Sequence, residues 1–185
     1  MENILDVYKR PYDRDHPVVC MDESSRQLIE ETRVREPMVK VRTAKKDYEY
    51  KRCGVYNVFM ANESLRGKRY TKVTEKKTKK DWALFIKELA GEYPEAERIT
   101  LVMDNLGTHS PGALYENFSP KEAKALWDRF EFVYTPKHGS WLNMAEIELN
   151  VLAKQCLNRR IGKMDTAVEE VEAWTENRNN MEATI

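Results

Sequence analysis

Apolar and polar positions along this chain follow two periods. Val18-Val19-Cys20-Met21 and Ile99-Thr100-Leu101-Val102-Met103 are short apolar runs, each closed by an aspartate, Asp22 and Asp104. Runs of this length read as strands buried on both faces, as in parallel sheets. Gln27 to Thr32 reads as a further short strand. Tyr48 to Lys51 and Val55 to Met60 flank Cys53-Gly54, which predicts a hairpin. Arg69 to Thr74 alternates basic with aromatic or β-branched residues, as a strand with one exposed face does, and Phe130 to Tyr134 is another strand. Trp82, Phe85, Ile86 and Leu89 recur at helical spacing, with Thr78 as cap, Asp81 in the first turn, and Gly91 and Pro94 near the end at about Glu92. Ser119-Pro120 opens a helix to about Arg129. Asn143 begins a long one to about Arg160, and Asp165 or Thr166 a last one to about Asn179. Residues 1 to 16 are polar, and Asn105 to Pro111 and Pro136 to Leu142 read as loops. A β-rich opening followed by strand–helix alternation predicts a mixed α/β sheet covered by helices.

The length of 185 residues suits one domain with a real core, without internal repeat or linker. Lys+Arg 31 against Asp+Glu 31 leaves no net charge, so the bulk balance demands no nucleic-acid partner. The charge is nevertheless clustered: Lys76, Lys77, Lys79 and Lys80; Arg42, Lys45, Lys46, Lys51 and Arg52; Arg159, Arg160 and Lys163. Phosphate contact and plain solvated surface are evenly matched readings of each cluster. Cys20, Cys53 and Cys156 form no C-x-x-C pair, and the first and last read as small core residues. A disulfide framework is disfavoured, and the expected setting is reducing. His16, His109 and His138 are too scattered for a zinc signature. Neither a signal peptide nor a membrane span is apparent, so a cytoplasmic location is expected.

In open α/β sheets ligands sit at the carboxyl ends of strands, where Asp22 and Asp104 fall. Glu146, at the start of a later helix, supplies a third carboxylate, and three converging carboxylates repel unless cations lie between them. Each has a blander reading: the aspartates as side-chain turns, and Asn143-Met144-Ala145-Glu146 as a capping box. Glu148 competes with Glu146. On a helical projection Leu142, Ala145, Leu149, Leu152 and Cys156 share one face. Glu146 falls about 60° from Leu149 and Glu148 about 100° away on the other flank, at about 100° per residue, so Glu146 lies nearer the buried seam.

Three blocks carry a resemblance. Tyr134 to Cys156, YTPKHGSWLNMAEIELNVLAKQC, is similar to the third-acid block of the insertion-sequence branch of the mariner-like DDE transposases, where a Leu-Asn dipeptide (Leu142-Asn143) precedes the catalytic glutamate. That selects Glu146 over Glu148. VVCMDES (Val18 to Ser24) resembles the first-acid block and selects Asp22 over Glu23, and VMDNLGTH (Val102 to His109) resembles the second and selects Asp104. The blocks stand in the family's order, and the similarity runs from about Leu5 to Ile185.

The resemblance implies a ribonuclease-H-like fold, a mixed five-stranded sheet with helices on both faces. It also implies that Asp22, Asp104 and Glu146 hold two Mg²⁺ (or Mn²⁺) ions about 3.5–4 Å apart for phosphodiester hydrolysis and strand transfer. Transposon-end and target DNA are the implied partners, with a homodimer bringing two ends together, no small-molecule cofactor, and a bacterial, nucleoid-associated setting. Asn105, His109, Lys137 and His138 are DNA-contact candidates, and Trp141 is expected to pack under the helix. Residues 1 to 185 are expected to be a single catalytic core. The helix-turn-helix region that relatives carry ahead of it is expected to be absent, since Met1 lies so close to the first strand. A nuclease acting on RNA–DNA hybrids and a silent remnant that binds DNA or a transposase partner are the alternative readings.

Overall fold

The computed structural model describes residues 1–33 and 48–185; Arg42, Lys45 and Lys46 of the second basic cluster lie outside the described residues. Among the described residues the strands are β1 (Val18–Glu31), β2 (Tyr50–Glu63), β3 (Lys68–Thr74), β4 (Ile99–Met103) and β5 (Phe130–Tyr134). They form one five-stranded sheet in the order β3-β2-β1-β4-β5. β1 runs antiparallel to β2, and β2 to β3, whereas β1/β4 and β4/β5 are parallel. The expected mixed sheet is present.

The helices are α1 (Glu2–Tyr8), α2 (Lys79–Gly91), α3 (Pro111–Asn117), α4 (Pro120–Arg129), α5 (Ala145–Gln155) and α6 (Met164–Asn180). Side-chain alternation along the strands sorts them into two layers. Val19, Met21, Phe59, Ala61, Leu101 and Met103 pack beneath Trp82, Phe85 and Leu89 of α2, Leu114 of α3 and Ala123 of α4. Cys20, Tyr56, Val58, Met60, Val102 and Val133 face the other way, toward Ile4 and Val7 of α1, Leu149 and Leu152 of α5, and Val171 of α6. Helices therefore cover both faces.

Several elements differ from expectation. The pieces expected at 18–22 and 27–32 are one strand, so Asp22 lies inside β1 rather than at its end. β1 outruns β4, whose pairing with it stops at Cys20↔Val102, because β2 continues to satisfy its backbone as far as Glu31. The expected hairpin at Cys53-Gly54 is likewise absent. β2 runs straight through it, and Gly54, at φ 134°, lies opposite a register shift between Leu28 and Ile29. The chain reverses at Ser64 to Gly67 instead. α1 and α3 are additional. Ile4 and Val7 are the two buried residues of α1, and the sheet face they cover makes the helix worthwhile. Thr78 and Asp81 form the full capping box that the sequence indicated, and Ser119 caps α4.

One polar cluster ties the N-terminal segment to the sheet. Arg10 donates two bonds to Glu131, at 2.9 and 3.2 Å, and Thr100 Oγ1 donates to Glu131 at 2.8 Å. These bonds pull the Glu131 carboxyl down to about 2. A depressed acid stabilises the fold above its ordinary range and loses that contribution as pH falls through its folded value. Between about pH 4.5 and 2 the wild type should thus lose more urea resistance than Glu131→Gln. Both side chains are more than a third exposed (43% and 37%), so the difference should be about 1 kcal/mol or less. Parallel slopes for the two proteins across that window would show that the cluster contributes nothing.

Candidate active site

β1 and β4 are the middle parallel pair, and their register brings Cys20 beside Val102 on the α5 face. Carried on by one more inward-facing pair, the same register sets Asp22 beside Asp104, the first residue past β4. α5 starts above them. Its approach is fixed by Asn143, 1% exposed, whose Nδ2 donates to the Met21 carbonyl at 2.7 Å while its Oδ1 accepts from Ala145 N–H at 3.1 Å. Tyr8 Oη donates to Leu142 O at 2.8 Å from the α1 side. The first turn of α5 is therefore stitched to the residue preceding Asp22.

Burial pushes the Asp22 carboxyl up to about 6. A 2.7 Å bond from Glu23 N–H opposes that rise, and the negative charges of Asp104, Glu146 and Glu23 add to it. The three sequence-selected acids are thus within electrostatic reach of one another. Asp104 moves the opposite way: His109 holds its carboxyl below the usual range against partial burial, helped by the charge of Lys77. The Glu146 carboxylate takes no hydrogen bond or ion pair among the described residues. The capping box proposed for it does not form, since α5 begins at Ala145 and has no side-chain cap.

Glu148 resolves the competition differently from the helical projection, which set Glu146 nearer the buried seam. Glu148 is the wholly buried residue, at 0% exposure, and Glu146 is only partly buried. The projection assumed one apolar face, but α5 packs on β1 and β2 while α6 packs on β3 beside it, and Glu148 turns toward that neighbouring strand and helix. There Arg69 Nε donates to it at 2.9 Å, and Arg178 donates at 2.8 and 3.1 Å. Burial alone would push this carboxyl up, yet the two guanidinium groups hold it below its ordinary value. Arg69, read as part of an exposed strand face, is 2% exposed. Glu148 is a structural ion and Glu146 is the free one.

The accessory residues divide. Asn105, Lys137 and His138 are exposed on the loops that flank the acids. His138 takes φ 65°, a left-handed conformation that non-glycine residues seldom adopt, just before the 3₁₀ turn Ser140–Leu142. His109 does not belong with them. At 2% exposure it is closed off from any DNA strand, because both ring nitrogens are engaged by acids and the ring lies against Trp82. Trp141, expected to pack, is 67% exposed. The 3₁₀ turn directs Leu142 inward at its expense. The third basic cluster is partly consumed by ion pairs, Arg160 with Glu31 and Arg159 with Glu170. Lys76, Lys77 and Lys80 are exposed at the site end of the sheet, while Lys79 pairs with Glu116. Sequence reasoning weighed Glu23 only as a rival of Asp22, and Asn143 as a cap and as part of the Leu-Asn dipeptide. It gave neither residue the partner it has here, His109 for Glu23 and the Met21 carbonyl for Asn143.

Among the described residues no three His, Cys, Asp or Glu side chains lie close enough together to enclose a metal ion as they stand. The donor set still suits one. Carboxylates are hard oxygen ligands, and Mg²⁺ is characteristically held by one or two of them, with water and phosphate completing the shell. Burial is the main cause of the rise at Asp22, and the repulsion from the neighbouring acids that adds to it is what a cation relieves.

A central acid-bearing parallel pair inside a β3-β2-β1-β4-β5 sheet defines the ribonuclease-H-like class of α/β domains. Solved structures share this fold. The Mos1 mariner paired-end complex with Mn matches at a TM-score of 0.66 and 14% identity, covering 98% of this chain and 54% of that one. The Mos1 transposase paired-end complex with left transposon end gives 0.64 and 14% (98% and 55%), and the Mos1 strand transfer complex 0.64 and 13% (95% and 51%). This chain spans about half the length of those proteins, and the likeness is one of fold. No curated protein matches the sequence. A family model for DDE superfamily endonucleases matches residues 17–167, and the chain belongs to that family. No helix among the described residues is long and apolar enough to cross a membrane.

Proposed function

We propose that the chain is the catalytic domain of a DNA transposase, with Asp22, Asp104 and Glu146 as its acidic triad. The observation that carries this reading is the electrostatic convergence of the three acids: Asp22 is raised to about 6 by burial and by the charges of Asp104 and Glu146. They come from β1, from the residue just past β4, and from a helix pinned to β1. Two divalent ions, Mg²⁺ or Mn²⁺, supply Lewis acidity and an activated water for in-line attack on a phosphodiester when bound there. Asp22 is held by the sheet, Asp104 by His109, and Glu146 by the Asn143 clamp. Asn105, Lys137, His138 and Trp141, with Lys76 and Lys77, form an exposed rim around the acids whose cationic and aromatic chemistry suits a DNA strand. Similarity to the Mos1 complexes, one with Mn and one with a transposon end, supports the same substrate class.

The test is cleavage of labelled duplex DNA by the purified chain with Mg²⁺ or Mn²⁺ and with chelator. Metal-dependent nicking that leaves 3′-hydroxyl ends is expected. Preferential cutting of an RNA–DNA hybrid would replace the reading with a hybrid nuclease, and DNA binding without cleavage at any metal concentration would leave a silent binding domain.

A further inference from the structure

His109 is buried between two carboxylates, Glu23 of β1 and Asp104 just past the end of β4. Nε2 lies 2.7 Å from Glu23 Oε1 and Nδ1 lies 2.8 Å from Asp104 Oδ1, with Nδ1 also bonded to the Asp104 backbone carbonyl at 3.2 Å. The ring stacks on the buried Trp82 at 5.6 Å between centroids. Its own backbone is held too, N–H to Leu106 O at 2.8 Å and carbonyl accepting from Tyr134 Oη at 3.2 Å. Nothing in this arrangement is free to turn. Asp104, by contrast, opens a loop, and its side chain is 38% exposed. Its Oδ1 is buried and meets Nδ1 at 2.8 Å as a charge contact without a hydrogen bond of its own, the Nδ1–H bond going to the backbone carbonyl.

Adjacent residues of β1 thus approach Asp104 from the two faces of the sheet. Asp22 faces it on the α5 side, and Glu23 reaches it through His109 on the α2 side. A ring that served only the core would need one carbonyl for a partner. Burying Glu23 to 5% side-chain exposure behind it is costly, and the arrangement is the carboxylate–imidazole backing that orients ligands at metal sites.

We propose that His109, backed by Glu23, is a positioning residue for the acid site. Its charge lies 2.8 Å from the buried Oδ1 and its Nδ1 bonds the Asp104 backbone carbonyl, which together fix the carboxylate so that Oδ2 is left to receive a divalent cation. The inference rests on the reading of Asp104 as a metal ligand.

Two amides separate the roles of the ring nitrogens. Asn places its nitrogen near the position of Nδ1 and can still hold Asp104, whereas Gln places it near Nε2 and keeps only Glu23. Mn²⁺ binding is measured by the EPR signal of the free ion in titrations of the whole chain, alongside the metal-free Tm. His109→Gln should weaken Mn²⁺ binding by about 10–100-fold. His109→Asn still reaches Asp104 and loses only the Glu23 contact, so it should weaken binding by about tenfold at most and clearly less than His109→Gln, despite a similar fall in Tm from the lost stacking. Equal weakening in both, in step with Tm, would mean a structural ring and overturn the proposal, as would wild-type affinity in His109→Gln. If neither variant folds, Glu23→Ala carries the test: its affinity should fall about tenfold although it touches no ion, and unchanged affinity overturns the proposal. Asp104→Asn distinguishes the two levels. Lost binding there with intact binding in His109→Gln sinks the positioning role alone. Wild-type binding in Asp104→Asn, or no binding by the wild type, sinks the metal-site reading and the positioning role with it.

Discussion

Asp22→Asn is expected to abolish metal-dependent cleavage while making the metal-free protein more stable. The substitution keeps shape and retains an oxygen to accept the 2.7 Å bond from Glu23 N–H, but it removes a charge that the fold holds at a cost. Burial and the neighbouring acids lift the Asp22 carboxyl from its ordinary 3.8 to about 6. A raised acid is indifferent below its ordinary value, where it is protonated folded and unfolded alike. It withdraws stability as pH rises through the window between the two values, and the deficit is constant above it. Wild type should therefore lose stability between about pH 4 and pH 6 relative to Asp22→Asn, by about 1–2 kcal/mol at neutral pH after allowance for solvent screening.

Metal should reverse that order. Mn²⁺ should raise the Tm of wild type by mass action and leave Asp22→Asn unmoved. Loss of several kcal/mol of charge stabilisation corresponds to about a thousandfold or more in rate. Cleavage rates with thermal melts at two pH values and with and without Mn²⁺ decide the matter. A variant that is less stable than wild type at neutral pH, or that cleaves normally, contradicts the assignment of Asp22.

Glu148→Ala and Glu146→Ala should have opposite consequences despite lying on one turn of α5. Removing Glu148 strands the Arg69 guanidinium, whose side chain is 0% exposed, and takes a partner from Arg178. Breaking a buried pair from one side costs about 3–5 kcal/mol, because the remaining charge is uncompensated. Arg69 also donates to the carbonyls of Gly67 and Ala183, so the β2–β3 turn and the C-terminal segment should loosen together. Glu146→Ala removes a carboxylate with no partner among the described residues. Its stability should stay within about 0.5 kcal/mol of wild type, with cleavage lost. Urea denaturation beside a nicking assay separates the two, and the reverse pattern would exchange their roles.

Local physics accounts for what was readable from the chain. β4 was evident because a strand buried on both faces must be apolar throughout, and all of Ile99–Met103 is buried. The start of α2 was evident because Thr78 and Asp81 satisfy each other's backbone within one turn. The acids were legible as residues, from the apolar runs that end at Asp22 and Asp104 and from the family blocks around them. Their surroundings were not. Asp22 was placed at a strand end because nothing in 23–26 reveals that β2 goes on pairing there. Arg69 and Trp141 were each assigned the wrong side of the surface, because alternation and hydrophobicity describe average neighbours rather than the ones a fold supplies.

By itself the sequence determined the elements with strong local signals and the mixed α/β class, and it singled out the three carboxylates proposed as the acidic triad. Only the tertiary structure decided which glutamate of α5 is paired and which is free, that His109 stands behind Asp104 instead of meeting DNA, and that Asn143 binds the α5 entry to β1. Helical caps and apolar periodicity arise between residues a few positions apart, so they are written in the order of the chain. The partners of buried charges are chosen by strand order and helix crossing: Arg69 for Glu148, Glu23 for His109, Met21 O for Asn143. Those pairings cross long stretches of chain and exist only once the sheet has been assembled.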